Sequence, residues 1–173
     1  PDCHKLLPER QDISYKYIYK PLDNIFTSPH NGIMKNVAIY LTNTDRSAFA
    51  ARHSSDALKV IARLEGVGAR YNFTIFDVTE GEFPTDPNAY DAVIITGSPA
   101  YVDDGDEWIG HLTKDIVAIT NAKTPLIGLC FGHQAIMAAL GGKVARKDFW
   151  IFGAEEFALH NSRPWMQPAA QTL

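Results

Sequence analysis

Short hydrophobic runs along this chain alternate with longer stretches in which apolar residues recur at helical spacing. Runs typical of buried strands cover residues 36–41, 72–78, 92–96 and 126–129. Helical patterns cover residues 56–64, 107–122 and 131–140, and the first and third are followed by the glycines Gly66 and Gly141. Short additional strands are predicted near 143–145 and 155–159.

The alternation of strand and helix predicts an α/β fold. Strands that are apolar throughout are typical of a parallel sheet covered on both faces, and right-handed crossovers favour a flavodoxin-like open parallel sheet with helices on both faces. Ligands of such sheets bind at the carboxyl ends of the strands. Gly97-Ser98-Pro99 and Cys130 each follow a predicted strand, so we expect them to line one crevice.

The composition of the chain argues against two classes of function, nucleic-acid binding and membrane insertion. The chain has 173 residues, 46% of them hydrophobic, a net charge of −4 and a pI near 5.8. It has no basic field for nucleic acid and no apolar stretch that could span a bilayer, and its first residues lack the hydrophobic region of a signal peptide. The two cysteines, Cys3 and Cys130, are not expected to pair. These features predict a cytoplasmic protein that binds neither nucleic acid nor membrane.

Residues 1–33 are rich in Pro, Tyr, Lys and Asp without a sustained period, and we interpret them as an N-terminal extension. Residues 34–173 are interpreted as one α/β domain. The loop of residues 41–47 after the first strand contains hydroxyl residues that could cradle a phosphate, but it has no glycine. This leaves a non-catalytic flavodoxin-like binding or scaffold protein as an alternative.

The segment Gly128-Leu129-Cys130-Phe131-Gly132 joins a predicted strand directly to a predicted helix. A residue at such a sharp turn has a strained backbone, and glycines two positions before and after it leave room for the turn. The helix N-terminus favours the thiolate form of a sulfur placed there. The segment therefore predicts a nucleophile elbow with Cys130 at its tip.

An acyl-transfer site also needs donors for the developing oxyanion. The N–H of Phe131, at the helix start, is one candidate by elbow geometry. The second should come from the loop after the neighbouring strand, where Ser98 has an N–H and Pro99 has none. Gly97 lets that loop pass closely beneath a substrate carbonyl.

Two segments, Gly128-Leu129-Cys130-Phe131-Gly132-His133-Gln134 and Ile95-Thr96-Gly97-Ser98-Pro99, resemble a class I glutamine amidotransferase domain. The resemblance is greatest to the stand-alone members that are similar to the amidotransferase half of GMP synthetase. The resemblance implies that Cys130 attacks the glutamine side-chain amide, that a glutamyl thioester forms and that ammonia leaves. It also implies that Gln134 and Gly97 help to bind glutamine and that no metal or organic cofactor is needed. A γ-glutamyl peptidase, which uses the same thioester, is the alternative within this chemistry.

The general base of that family is a histidine followed two residues later by glutamate, well beyond the elbow. His160 is followed by Asn161 and Ser162 and does not match, and His133 belongs to the elbow motif. We therefore expect weak turnover from this chain alone. We also expect missing C-terminal strands, so that the chain is a fragment of a longer protein, is completed by a partner chain or a second copy, or is a non-catalytic relative. His53, His111 and His160 lack metal-ligand spacing, so no metal site is predicted.

Overall fold

The computed structural model describes residues 34–146, and within that range four parallel strands form one sheet. The strands are β1 (Lys35–Leu41), β2 (Tyr71–Asp77), β3 (Ala92–Ile95) and β4 (Leu126–Gly128). The helices are α1 (Asp56–Gly66), α2 (Glu107–Asn121) and α3 (Phe131–Ala139). The extension predicted for residues 1–33 and the strand predicted near 155–159 lie outside the described residues.

The strand order is β2-β1-β3-β4, with every neighbouring pair parallel. This order, in which the chain moves first to one side of β1 and then to the other, confirms the flavodoxin-like open sheet. The order reverses at β1, so the loops after β1 and β3 flank the crevice where ligands of such sheets bind.

Helices cover both faces of the sheet, as predicted. On one face, α1 packs Ala57 against alternate residues of β1 and β3. On the other face, α2 and α3 pack against the intervening residues of the same strands. Because both faces are covered, β1 and β3 are apolar almost throughout, with residues 37–40 and 92–95 all buried.

The short strand predicted near 143–145 is wrong, because residues 142–146 have no regular secondary structure. Gly141, at φ 83°, turns the chain out of α3, and the segment that follows instead places Arg146 against an acidic loop. Three residues, one of them a lysine, offered too little apolar surface to define a strand. No helix among residues 34–146 has the length and apolarity needed to cross a bilayer.

Candidate active site

The carboxyl ends of three neighbouring strands meet at one edge of the sheet. Tyr40 of β1 is in register with Ile95 of β3, which is in register with Gly128 of β4. The residues that follow these strands therefore lie side by side. This placement brings the loop that begins at Gly97 next to Cys130, as the sequence predicted.

Cys130 lies in a tight turn between β4 and α3. Its backbone has φ 51° and ψ −108°, and the N–H of Gly132 donates a 2.9 Å hydrogen bond to the carbonyl of Leu129. These features match the first central position of a type II′ turn, which glycine normally occupies. A cysteine in this conformation carries backbone strain of about 1–3 kcal/mol.

The two glycines of the elbow are required by close backbone approach. A Cβ atom at Gly128 would collide with the backbone of Gly132, and a Cβ atom at Gly132 would lie 2.5 Å from the carbonyl oxygen of Ile95. The Leu129 N–H donates to that same carbonyl at 2.9 Å. The elbow is thus packed directly onto the end of β3, which agrees with the steric role predicted for these glycines.

Gly97 is a close neighbour of the cysteine. A Cβ atom at Gly97 would lie 3.5 Å from Cys130 Cβ, in ordinary van der Waals contact. The Ser98 hydroxyl accepts the Ala100 N–H at 3.1 Å, so this side chain supports its own turn. Within residues 34–146, the backbone N–H groups of Ser98 and Phe131 donate no hydrogen bond to another described residue. Neither N–H is therefore used in a hydrogen bond within this part of the chain.

Cys130 is an exposed free cysteine, and the neighbouring Leu129 is 42% exposed. By contrast, the Phe131 side chain is buried and its ring packs against Trp108, with centroids 5.5 Å apart. The buried Phe131 side chain therefore anchors the start of α3 in the core, while Cys130 itself is exposed. Gln134 lies on the first turn of α3, and its backbone N–H donates to the Cys130 carbonyl at 3.1 Å.

Histidine does not complete this arrangement within the described part of the chain. The rings of His53 and His111 pack on Phe49 and Phe83, with centroids 4.4 and 3.8 Å apart. His133 is exposed on the first turn of α3, and His160 lies outside the described residues. Residues 34–146 also hold no group of three or more His, Cys, Asp or Glu side chains able to bind a metal ion.

The acidic loop before α2 is held by an arginine of the segment that follows α3. Arg146 contacts Asp103 and Asp104 at 3.0 and 2.7 Å, and its guanidinium lies 3.8 Å from the centroid of the Tyr101 ring. The hydrogen bond from Arg146 lowers the pKa of Asp103 below its ordinary value. This contact joins the loop after β3 to the segment after α3. The role of Arg146 was not predicted from the sequence, because nothing local marks a partner 43 residues away.

The loop after β1 is held together by its own side chains. Asn43 accepts the Asp45 N–H, Asp45 accepts the Ser47 N–H, and Ser47 accepts the Ala50 N–H, at 2.8, 2.8 and 3.2 Å. These backbone donors are the groups that a bound phosphate would need. Because these N–H groups already donate to side chains of the same loop, they disfavour the phosphate-binding alternative.

A pair of buried hydroxyls, Thr42 and Thr96, was also missed. They follow β1 and β3 directly, and both are fully buried. Their positions at two strand ends were the available signal, but only the pairing of β1 with β3 shows that they meet.

Residues 53–164 match the family model for class-I glutamine amidotransferases. Gamma-glutamyl peptidase 5 of Arabidopsis thaliana is 32% identical over 114 residues, which cover 65% of this chain and 45% of that protein. A glutamine-hydrolysing GMP synthase of Wigglesworthia glossinidia brevipalpis is 31% identical over 100 residues, which cover 57% of this chain and 18% of that protein. The matched region thus spans less than half the length of these relatives.

A crystal structure of a glutamine amidotransferase from Methylobacillus flagellatus is 18% identical, with a TM-score of 0.49 over 70% of this chain and 44% of that one. The family assignment comes from the family model, which covers more than half of the chain and includes both the Gly97 loop and the elbow. The chain belongs to the class-I glutamine amidotransferase family.

Proposed function

We propose that this chain carries the nucleophile and the oxyanion-binding groups of a glutamine amidotransferase-type hydrolase. Cys130 is the nucleophile, and the backbone N–H groups of Ser98 and Phe131 bind the oxyanion. The observation that carries the proposal is the strained turn, which exposes the thiol beside a loop and a helix start whose N–H groups are free of described partners.

In the proposed reaction, the Cys130 thiolate attacks the γ-carbonyl carbon of glutamine, and the carbonyl oxygen becomes an oxyanion. Each backbone donor aimed at that oxygen stabilises the transition state by about 3 kcal/mol. Collapse of the intermediate breaks the C–N bond, and the nitrogen leaves as ammonia after taking a proton. Water then hydrolyses the glutamyl thioester to glutamate and restores the thiol. Gly97 and Gln134 are proposed to contact the substrate, and no metal or cofactor takes part.

The second candidate is γ-glutamyl peptidase activity, which the Arabidopsis relatives favour by their names. The thioester would be the same, but the leaving group would be the amine of a γ-glutamyl conjugate. Comparing ammonia released from glutamine with amino acid released from γ-glutamyl dipeptides distinguishes the two reactions. The base that assists either reaction is not among the described residues around Cys130.

Covalent labelling tests the nucleophile directly. A glutamine-analogue diazoketone is expected to add one label per chain, located at Cys130 by peptide mass spectrometry, and Cys130→Ala should abolish it. Cys3→Ser is the matched control, because Cys3 is the only other cysteine in the sequence, and this variant should label like the wild type. Equal labelling of Cys130→Ala would overturn the proposal.

A further inference from the structure

A buried hydroxyl pair lies directly beneath the loop that carries Ser98. The Thr42 hydroxyl is 2.9 Å from the carbonyl oxygen of Thr96 and 3.1 Å from that of Gly97. The backbone N–H of Thr42 donates to the Thr96 hydroxyl at 3.0 Å. Both threonines have 0% exposure, so water does not compete for these groups.

Each hydroxyl of the pair has one proton, and the carbonyl oxygens of Thr96 and Gly97 both lie within hydrogen-bond distance of the Thr42 hydroxyl. The Thr96 hydroxyl lies 3.4 Å from the Gly97 oxygen and 3.1 Å from the Thr42 hydroxyl, so the shorter contact to Gly97 comes from Thr42. The Thr96 carbonyl also accepts the Gly132 N–H at 3.2 Å. One buried cluster therefore connects the end of β1 to both the Gly97 loop and the elbow.

The direction of the Gly97 carbonyl fixes the direction of the next N–H. In a planar trans peptide, the C=O of one residue and the N–H of the following residue point in opposite directions. Because the Gly97 oxygen points into the threonine pair, the Ser98 N–H points away from it. A flip of this peptide would replace a donor by a carbonyl oxygen, which repels an oxyanion.

We propose that Thr42 is a positioning residue, whose hydroxyl holds the Gly97–Ser98 peptide with its N–H aimed out of the protein beside Cys130. The effect on the peptide stands on the geometry alone, whereas its effect on reactivity rests on the proposed function. Thr42 touches no substrate and acts only through the Gly97 carbonyl.

The orientation of the peptide is measured first, without reference to activity. Residual dipolar couplings of the Ser98 N–H bond are expected to match the described orientation in the wild type and in Thr42→Ser, which keeps the hydroxyl. In Thr42→Val, which replaces the hydroxyl by a methyl group, the coupling should shift or average, while couplings in β1 and β3 stay unchanged. A Ser98 coupling in Thr42→Val equal to that of the wild type would overturn the inference. If Thr42→Val does not fold, Thr42→Ala, which also removes the hydroxyl, is measured in its place, and a Ser98 coupling equal to that of the wild type would overturn the inference.

Reactivity is measured second. Thr42→Val should slow labelling of Cys130 by the glutamine-analogue diazoketone at least about tenfold. Complete removal of one oxyanion donor typically slows a reaction about 100- to 1,000-fold, so the loss should not exceed that range. Alkylation by iodoacetamide, which needs no oxyanion donor, should be unchanged, and Thr42→Ser should restore the labelling rate. Equal slowing of both reagents would indicate a general disturbance and contradict the positioning role. A wild type that reacts with iodoacetamide but not with the analogue would defeat the proposed function, while the couplings would still decide the role of Thr42.

Discussion

Cys130 shows at the residue scale how a fold stores strain at one position. Its positive φ is rare for an L-residue, because the Cβ atom crowds the backbone. The conformation is maintained by the turn hydrogen bond of Gly132 and by contacts of both elbow glycines with neighbouring backbone. The flanking glycines made this turn predictable from sequence, since no other residue permits such close approach.

The strain at Cys130 predicts an unusual response to substitution. Cys130→Gly removes the Cβ atom that crowds the turn, whereas Cys130→Ala keeps it. We expect the glycine variant to have a free energy of unfolding about 1 kcal/mol higher than the alanine variant, although glycine normally destabilises. Urea denaturation of the two variants measures this difference. An alanine variant more stable than the glycine variant would contradict the strain.

At the scale of elements, the helices begin and end close to where the sequence placed them. Helix α1 starts after Ser55, whose hydroxyl accepts the Leu58 N–H at 3.3 Å, and it stops at Gly66. Helix α3 ends one residue before the predicted Leu140. Caps and glycines are local signals, so they could be found without knowing the tertiary structure.

The N-cap of α1 can be tested by removing one hydroxyl. Ser55→Ala should lower the free energy of unfolding by about 1 kcal/mol, because the Leu58 N–H loses its acceptor at the helix start. Ser54→Ala is the matched control, since Ser54 is exposed and lies one residue outside the cap. Thermal unfolding of both variants measures the effect, and equal losses would show that the cap contributes nothing specific.

At the scale of the whole molecule, a buried ionisable pair lies between the sheet and α2. The Tyr40 hydroxyl donates to an Asp115 carboxylate oxygen at 2.8 Å, and His111 lies 3.7 Å from the other oxygen. Burial raises the pKa of Asp115 above its ordinary value of 3.8, against the opposing effects of the Tyr40 hydrogen bond and of His111. Burial likewise raises the pKa of Tyr40.

This pair predicts a pH dependence of stability. As pH rises above 3.8, the unfolded chain loses the Asp115 proton while the folded protein retains it, so the free energy of unfolding falls until the pH passes the raised folded pKa. Asp115→Asn keeps an acceptor for Tyr40 and removes the titration. We expect the stability of the variant relative to the wild type to rise between acid and neutral pH, as measured by urea denaturation. A difference independent of pH would contradict the raised pKa.

The sequence by itself determined the order of strands and helices, the parallel sheet with two covered faces, and the elbow at Cys130. Hydrophobic periodicity, helix caps and the spacing of glycines are local properties, so they can be interpreted without a fold. Only the tertiary structure decided which polar groups meet in the interior. Thr42 bonds Thr96 across 54 residues, and Tyr40 bonds Asp115 across 75. Such contacts depend on which strands and helices become neighbours, and no single segment of the sequence carries that information.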